Sequence, residues 1–318
     1  MRFDDRTTAV VRLCTGGLVG VLLVLSGCTE TAGDETSTDD SAALSSGRCS
    51  GVAARERRSL EIMTINVRRD GDDWMRRFPL LADEIARLNP DVIGLQEVMI
   101  TLGQAVALAE LVALRGGPRY HVSQHYKPGF VGFVLGEGVA VLSRWPIVES
   151  RSIDLGSRRV AQLARIELPS GARIDVLNAH FENGSGADKD AVRLDQAELS
   201  LRFAEEQDQC NVTFFTGDFN TTATSPAIRR LLFGGFSDSY EAVHGASTSP
   251  TGNTCPVVLR EGAFAQQPEV RIDFVLRKRA GARTARPRDS IVAFKNHDAA
   301  GFYPSDHFGV MTTFDGEL

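Results

Sequence analysis

The chain has 318 residues, a formal net charge of −6, 42% hydrophobic residues and 24% charged ones. That composition supplies a buried core and excludes a disordered, collagen-like or polytopic membrane chain. Five cysteines with no CxxC pair are too few for a disulfide scaffold and exclude a zinc ribbon.

Arg2, Arg6 and Arg12 precede an uncharged run from Leu13 to Cys28, whose apolar heart is Leu18 to Leu25. A spanning helix needs about twenty predominantly apolar residues, so this shorter run reads as an export signal. It ends in Leu25-Ser26-Gly27-Cys28, which resembles the lipobox of bacterial lipoproteins. The resemblance implies a signal peptide over 1–27 and a lipidated Cys28, which would tether the protein to a membrane face without spanning it. Thr29 to Gly47 carries Glu30, Asp34, Glu35, Asp39 and Asp40 and no basic residue. With so few large apolar side chains, residues 28–58 read as a self-repelling, extended tether. The signal sums to +1 and the tether to −5, leaving −2 for residues 48–318. A near-neutral body speaks against a globally basic nucleic-acid binder. Cys49, Cys210 and Cys255 remain in the exported part. Export permits a disulfide, and although the residues single out no pair, Cys210 with Cys255 is the working guess.

The body, residues 59–318, follows. Leu60 to Asn66 reads as a strand. Arg76 to Leu88 has Phe78, Leu81, Ile85 and Leu88 at helical spacing, with Pro79 expected in its first turn and Asn89-Pro90 as its stop. Asp91 to Gln96 reads as a buried strand, and Gln104 to Arg115 as a helix with Val106, Leu108, Leu111 and Val112 as its apolar positions, ended by Gly116-Gly117-Pro118. Gly138 to Ser143, Val160 to Leu168 and Ala172 to Asn178 read as strands, the last two as a hairpin. Ala187 to Gln207 reads as a charged helix and Asn211 to Gly217 as a buried strand. Ser225-Pro226 opens a short helix as N-cap and N1. Val270 to Leu276 and Gly309 to Phe314 close the series. Short turns between strands imply mainly antiparallel sheets within one layered α/β domain.

Five of these strands carry chemistry at an end. Asn66, Gln96-Glu97, Asn178-Ala179-His180 and Asp218-Phe219-Asn220 follow apolar runs, and Ser305-Asp306-His307 leads into the last one. Singly, such residues are ordinary turn formers. Together they supply Asn, Glu, Asp and His without cysteine, which suits a hard, oxygen-liganded cation beside acid–base groups.

The ordered motifs MTINVR (63–68), GLQEV (94–98), GVAVLSRWPI (138–147), LNAHFE (177–182), TGDFN (216–220), RIDFVL (271–276) and SDHFGV (305–310) resemble the endonuclease/exonuclease/phosphatase superfamily, the deoxyribonuclease I-like fold. The resemblance covers residues 60–314 and makes 59–318 the catalytic domain. It implies an α/β four-layered sandwich of two mainly antiparallel β-sheets flanked by helices. It further implies Asn66 and Glu97 as ligands of Mg²⁺ or Mn²⁺, with Asp306 contributing to the metal shell. Asp218 would orient or deprotonate the attacking water, Asn220 would hold it or a phosphate oxygen, and His180 would donate to the developing charge. His307 would act as general base or phosphate stabiliser, oriented by Asp273. Ser143 is expected to be structural, and His121, His125, His244 and His297 match no motif and give no zinc spacing.

For the substrate, Gly136 stands where abasic-site endonucleases of this superfamily carry tyrosine. Arg193-x-x-Gln196 after LNAHFE resembles the sphingomyelinase-like branches. A lipid or small-molecule headgroup is therefore the preferred phosphoester, acted on by a monomer at a membrane. The alternative is an extracellular nuclease, for which Arg277, Lys278, Arg279, Arg283, Arg286 and Arg288 could track a phosphate backbone. A third reading is an inactive binding module, which the complete set of expected catalytic positions disfavours.

Overall fold

Side chains alternate faces along a strand, and the apolar residues of this chain sort accordingly. Ile62 on β1 (Arg57–Asn66) and Val92 on β2 (Val92–Met99) face a second sheet, whereas Met63, Ile65, Ile93 and Leu95 face helices. The computed structural model describes residues 57–129, 136–245, 250–278 and 285–317. The expected signal peptide, Cys28, nearly all of the tether, Cys49, Arg279 and Arg283 lie outside the described residues.

The chain continues through α1 (Trp74–Leu88), α2 (Gln104–Leu114), β3 (His121–Tyr126), β4 (Glu137–Ser143), β5 (Ile147–Gly156), β6 (Arg159–Glu167) and β7 (Arg173–His180). Then come α3 (Ala187–Glu206), β8 (Val212–Asp218), α4 (Pro226–Phe233), β9 (Phe236–Asp238), α5 (Ser239–His244), β10 (Asp273–Lys278), β11 (Arg286–Ala293) and β12 (Gly309–Glu317). One six-stranded sheet has the order β11-β12-β1-β2-β4-β3 and the other β5-β6-β7-β8-β10-β9. Each holds one parallel pair at its centre, β1 with β2 and β7 with β8, and is otherwise antiparallel. A parallel pair needs a crossover, and α1 and α3 are those crossovers.

Three apolar cores make four layers. Phe78, Leu81, Leu108 and Val112 of α1 and α2 pack on the outer face of the first sheet. Leu60, Ile62, Val176, Phe214, Val275 and Phe314 fill the space between the sheets, with Phe214 and Phe314 4.8 Å apart. Leu201, Phe203, Ile228 and Leu231 of α3 and α4 cover the second sheet. The expected sandwich is thus observed. Among the described residues no helix is long and apolar enough to cross a membrane.

Three local expectations change. Helix α1 begins at Trp74, where Asp73 accepts from the Arg76 N–H, so Pro79 lies in its second turn. Val106 is 44% exposed, because Ala105, Leu108, Ala109 and Val112 form the buried stripe of α2. The guessed Cys210–Cys255 disulfide is absent. Cys210 is disulfide-bonded, Cys255 is a free thiol, and the Cys255 segment is instead bridged to Val270.

Candidate active site

The inner faces of the four central strands change character along their length. Each is apolar at first and polar at its C-terminal end. Ile62 gives way to Thr64 and Asn66, Val92 to Gly94 and Gln96, Val176 to Asn178 and His180, and Phe214 to Thr216 and Asp218. A polar seam between the sheets results. Gln96 Nε2 donates to Thr64 Oγ1 (3.0 Å) and to Asn178 Oδ1 (2.7 Å). Asn178 Nδ2 donates back to the Leu95 and Ala140 carbonyls, each at 2.9 Å. Only Gln96 Oε1 lacks a partner among the described residues; the other buried groups of the seam are bonded, which limits the cost of burying them and fixes one sheet against the other. Gly94 permits the approach, since a Cβ there would overlap the Thr216 side chain.

The candidate site sits on this seam, at the carboxyl ends of the parallel strands, where open α/β sheets hold ligands. Asn66 Nδ2 donates to Asp218 Oδ2 across the two sheets (3.0 Å). His180 Nε2 is 3.5 Å and His307 Nε2 3.8 Å from the same oxygen. His307 Nδ1 is 3.0 Å from Oδ2 of the fully buried Asp273, the first residue of β10. Asn220 Nδ2 lies 2.9 Å from His180 Nε2, and the Asn220 N–H donates to Asp218 Oδ1 (2.9 Å). Five of the sequence-predicted residues thereby form one contiguous group with Asn66.

Glu97 reaches the site by a backbone device. The β2–β4 register shifts between Leu95 and Val98, and Glu97 takes φ 53° in that irregularity. Bulges re-aim side chains beside active sites. Its carboxylate is 20% exposed and 3.3 Å from Arg69 Nε. Glu97, Glu137 and His180 each offer a ligand atom within 4.8 Å of one another, as do Asp218, Asp273 and His307. Asp306 stands apart from both groups. Its Oδ2 is held by Arg68 at 2.6 Å.

Electrostatics separates the two histidines. Burial holds the His180 imidazole well below its ordinary range, and Arg159 and Lys127 push the same way. His180 is therefore neutral, and its buried Nδ1 has no hydrogen-bond partner among the described residues. Burial also pulls His307 down, but the Asp273 and Asp218 carboxylates outweigh it and set its pKa well above the ordinary value. The Asp218 carboxyl is pushed up to about 7, mainly by burial. Asp218 and His307 titrate together, so the proton belongs to the pair.

Several residues here escape a reading of strand ends. Glu137 opens β4, which runs antiparallel to β2, so the start of β4 lies on the rim where β2 ends. Lys127 follows β3 and Arg159 opens β6, on the same rim by the same logic. Cys255 Sγ lies 3.7 Å from His307 Nε2. Arg193 and Gln196 prove to be holders of the main chain. Arg193 NH1 donates to the Glu182 and Gly184 carbonyls, and Gln196 Oε1 accepts from the Glu182 N–H. Ser143 Oγ accepts from the Trp145 N–H, a structural role as expected. The described ends of the basic stretch lie elsewhere. Lys278 pairs with Thr213 and Arg286 with Asp315, at the opposite ends of strands whose other ends carry Asp218 and His307. Five residues of strand put Lys278 about 17 Å from Asp218.

The sequence model of the Endonuclease/Exonuclease/phosphatase family matches residues 63–307. Solved structures share the fold. An endonuclease/exonuclease/phosphatase family protein from Bacteroides thetaiotaomicron is 20% identical with a TM-score of 0.65, over 82% of this chain and 96% of that one. The mannosyl-6-phosphatase Bt3783 of the same organism is 21% identical with a TM-score of 0.63, over 80% and 98%. D. rerio TDP2 complexed with single-strand DNA product is 21% identical with a TM-score of 0.62, over 81% and 99%. No curated protein matches the sequence.

Proposed function

The chain belongs to the endonuclease/exonuclease/phosphatase family, and from that premise we propose that it is an exported, membrane-tethered phosphoesterase dependent on Mg²⁺ or Mn²⁺. Its substrate is a phosphodiester or phosphomonoester with a lipid or small-molecule headgroup. One observation carries the reading. Asp218 stands between two imidazoles whose pKa values are driven in opposite directions, His180 and His307, on the rim that presents Glu97.

The residues fit a hard divalent cation. Glu97 offers a partly open carboxylate and Asn66 an amide oxygen, with no thiolate in the set, as such ions prefer. Asp306, held by Arg68, supports that side of the rim. When bound, the cation supplies Lewis-acid polarisation of a phosphoryl oxygen. The remaining work falls to this chain's own groups. Asp218 and His307 orient the attacking water and share its proton, and Asp273 fixes the His307 ring as a buried carboxylate does in a triad. Asn220 steadies the water and His180. His180 presents a neutral donor to the charge that develops on phosphorus.

The lipobox resemblance supports tethering, and the placement of Lys278 and Arg286 away from the rim supports a headgroup over a nucleic-acid backbone. A panel with Mg²⁺ or Mn²⁺ tests the substrate: plasmid DNA, RNA, sphingomyelin, phosphatidylinositol and bis-p-nitrophenyl phosphate. Turnover of the lipids or the nitrophenyl diester without nicking is expected, whereas nicked plasmid without lipid turnover contradicts the preference. Mass spectrometry of the mature N-terminus should find diacylated Cys28; an unmodified Cys28 refutes the anchor.

A further inference from the structure

Beside Glu97 and His180 the rim opens into a cleft of about 240 Å³. It is smaller than the roughly 300–1,000 Å³ of drug-sized ligand sites and is bounded by charge. Arg69, Lys127, Arg158 and Arg159 supply four cations, against Glu97, Glu137 and Glu182. Most of this charge is already committed. Lys127 pairs with Glu137, and Arg159 lies 3.3 Å from Glu182, which Lys189 also holds. Arg69 lies between Glu97 and Glu137. Arg158 differs, for it is exposed and makes no hydrogen bond or ion pair with the described residues. It sits at the tip of the β5–β6 hairpin, where Gly156 pairs with Arg159. Ser157 and Arg158 there take φ 49° and 58°, a turn that normally selects Asn or Gly.

We propose that this cleft is a second-anion subsite, which takes a phosphate group carried elsewhere on the substrate while the scissile phosphate lies at Glu97 and His180. Arg158 is the specificity-determining residue, and buried Arg159 and half-buried Lys127 line the same cleft. The inference rests on the phosphoesterase reading and narrows its substrate to an ester whose alcohol is itself phosphorylated. An incoming phosphate would answer Arg158 by a charge-assisted, two-point hydrogen bond.

Competition kinetics test this with the full chain, using hydrolysis of bis-p-nitrophenyl phosphate as the reporter. Glucose 1,6-bisphosphate is compared with glucose 1-phosphate as inhibitors, and phosphatidylglycerol phosphate with phosphatidylglycerol in mixed micelles. In the wild type the doubly phosphorylated member should inhibit at least about tenfold more strongly, the value of one charged contact. Arg158→Gln should reduce that ratio to within about twofold while leaving reporter kcat unchanged, and Arg158→Lys should restore part of it. Preference within either pair supports the subsite, and the pair that shows it identifies a soluble or a lipid source. Equal inhibition in both pairs, or a ratio that survives in Arg158→Gln, overturns it. If the wild type does not cleave the reporter under any metal, the phosphoesterase reading itself fails, a result distinct from a cleaving enzyme without preference.

Discussion

The β1–α1–β2 and β7–α3–β8 units are built alike. Each is a parallel pair at the centre of a six-stranded sheet, crossed by one helix and flanked by antiparallel strands. Their rims nevertheless carry different chemistry. The first unit ends in an amide and a carboxylate, with Glu97 lifted partly into solvent by its bulge. The second ends in His180 and Asp218, both nearly inaccessible. The same backbone plan thus serves opposite electrostatic ends. The partly open Glu97 carboxylate suits a hydrated cation, whereas Asn66 beside it is buried, and the desolvated groups of the second rim acquire the shifted pKa values that proton transfer needs. Asn66 joins the two by donating to Asp218.

This division can be broken at graded cost. Asp218→Asn removes the group at the junction and should lower kcat roughly 10³-fold with the fold intact, as steady-state kinetics and circular dichroism would show. The seam beneath comes next. A Cβ at Gly94 would overlap Thr216 and come within 2.8 Å of Asn178 Oδ1, so Gly94→Ala should cost about 1–3 kcal/mol in urea unfolding. A smaller effect is expected at Cys255, whose thiol faces His307 at 3.7 Å. Alkylation with iodoacetamide should slow hydrolysis about tenfold by crowding the imidazole, and Cys255→Ser should escape the reagent. The mildest test lies away from the rim. Burial, with Asp91 beside it, pushes the Glu61 carboxyl from 4.5 up to about 7. Between those values the unfolded chain is ionised while the folded one holds its proton. The ionised folded form is penalised fully above about pH 7 and not at all below 4.5. Glu61→Gln should therefore raise stability at alkaline pH by about 1 kcal/mol or less after solvent screening, and the gain should vanish in acid.

The eight interior strands were legible in the sequence, and the four it left unread, β3, β5, β9 and β11, are the edges of the two sheets. The reason is physical. Interior strands are apolar on both faces, as Val139 to Leu142 are. Edge strands carry polar and charged residues that discourage pairing with other chains; β5 has Glu149, Arg151 and Asp154, and β11 has Arg286, Arg288 and Asp289. The site divides in the same way. Asn66, Glu97, His180 and Asp218 follow apolar runs and announce themselves. Glu137 and Arg159 open strands that run the other way, and Cys255 meets His307 only through tertiary pairing.

The division of labour between the two rims is tested most directly by titrating Mg²⁺ into Glu97→Gln and Asp218→Asn side by side, with bis-p-nitrophenyl phosphate as substrate. Glu97→Gln should need at least about tenfold more Mg²⁺ for half-maximal rate and recover much of its activity at saturation. Asp218→Asn should keep the wild-type Mg²⁺ requirement within about threefold and stay slow at every concentration. If both variants shift the Mg²⁺ requirement alike, or if saturating Mg²⁺ rescues Asp218→Asn, the two rims do not divide the chemistry as described.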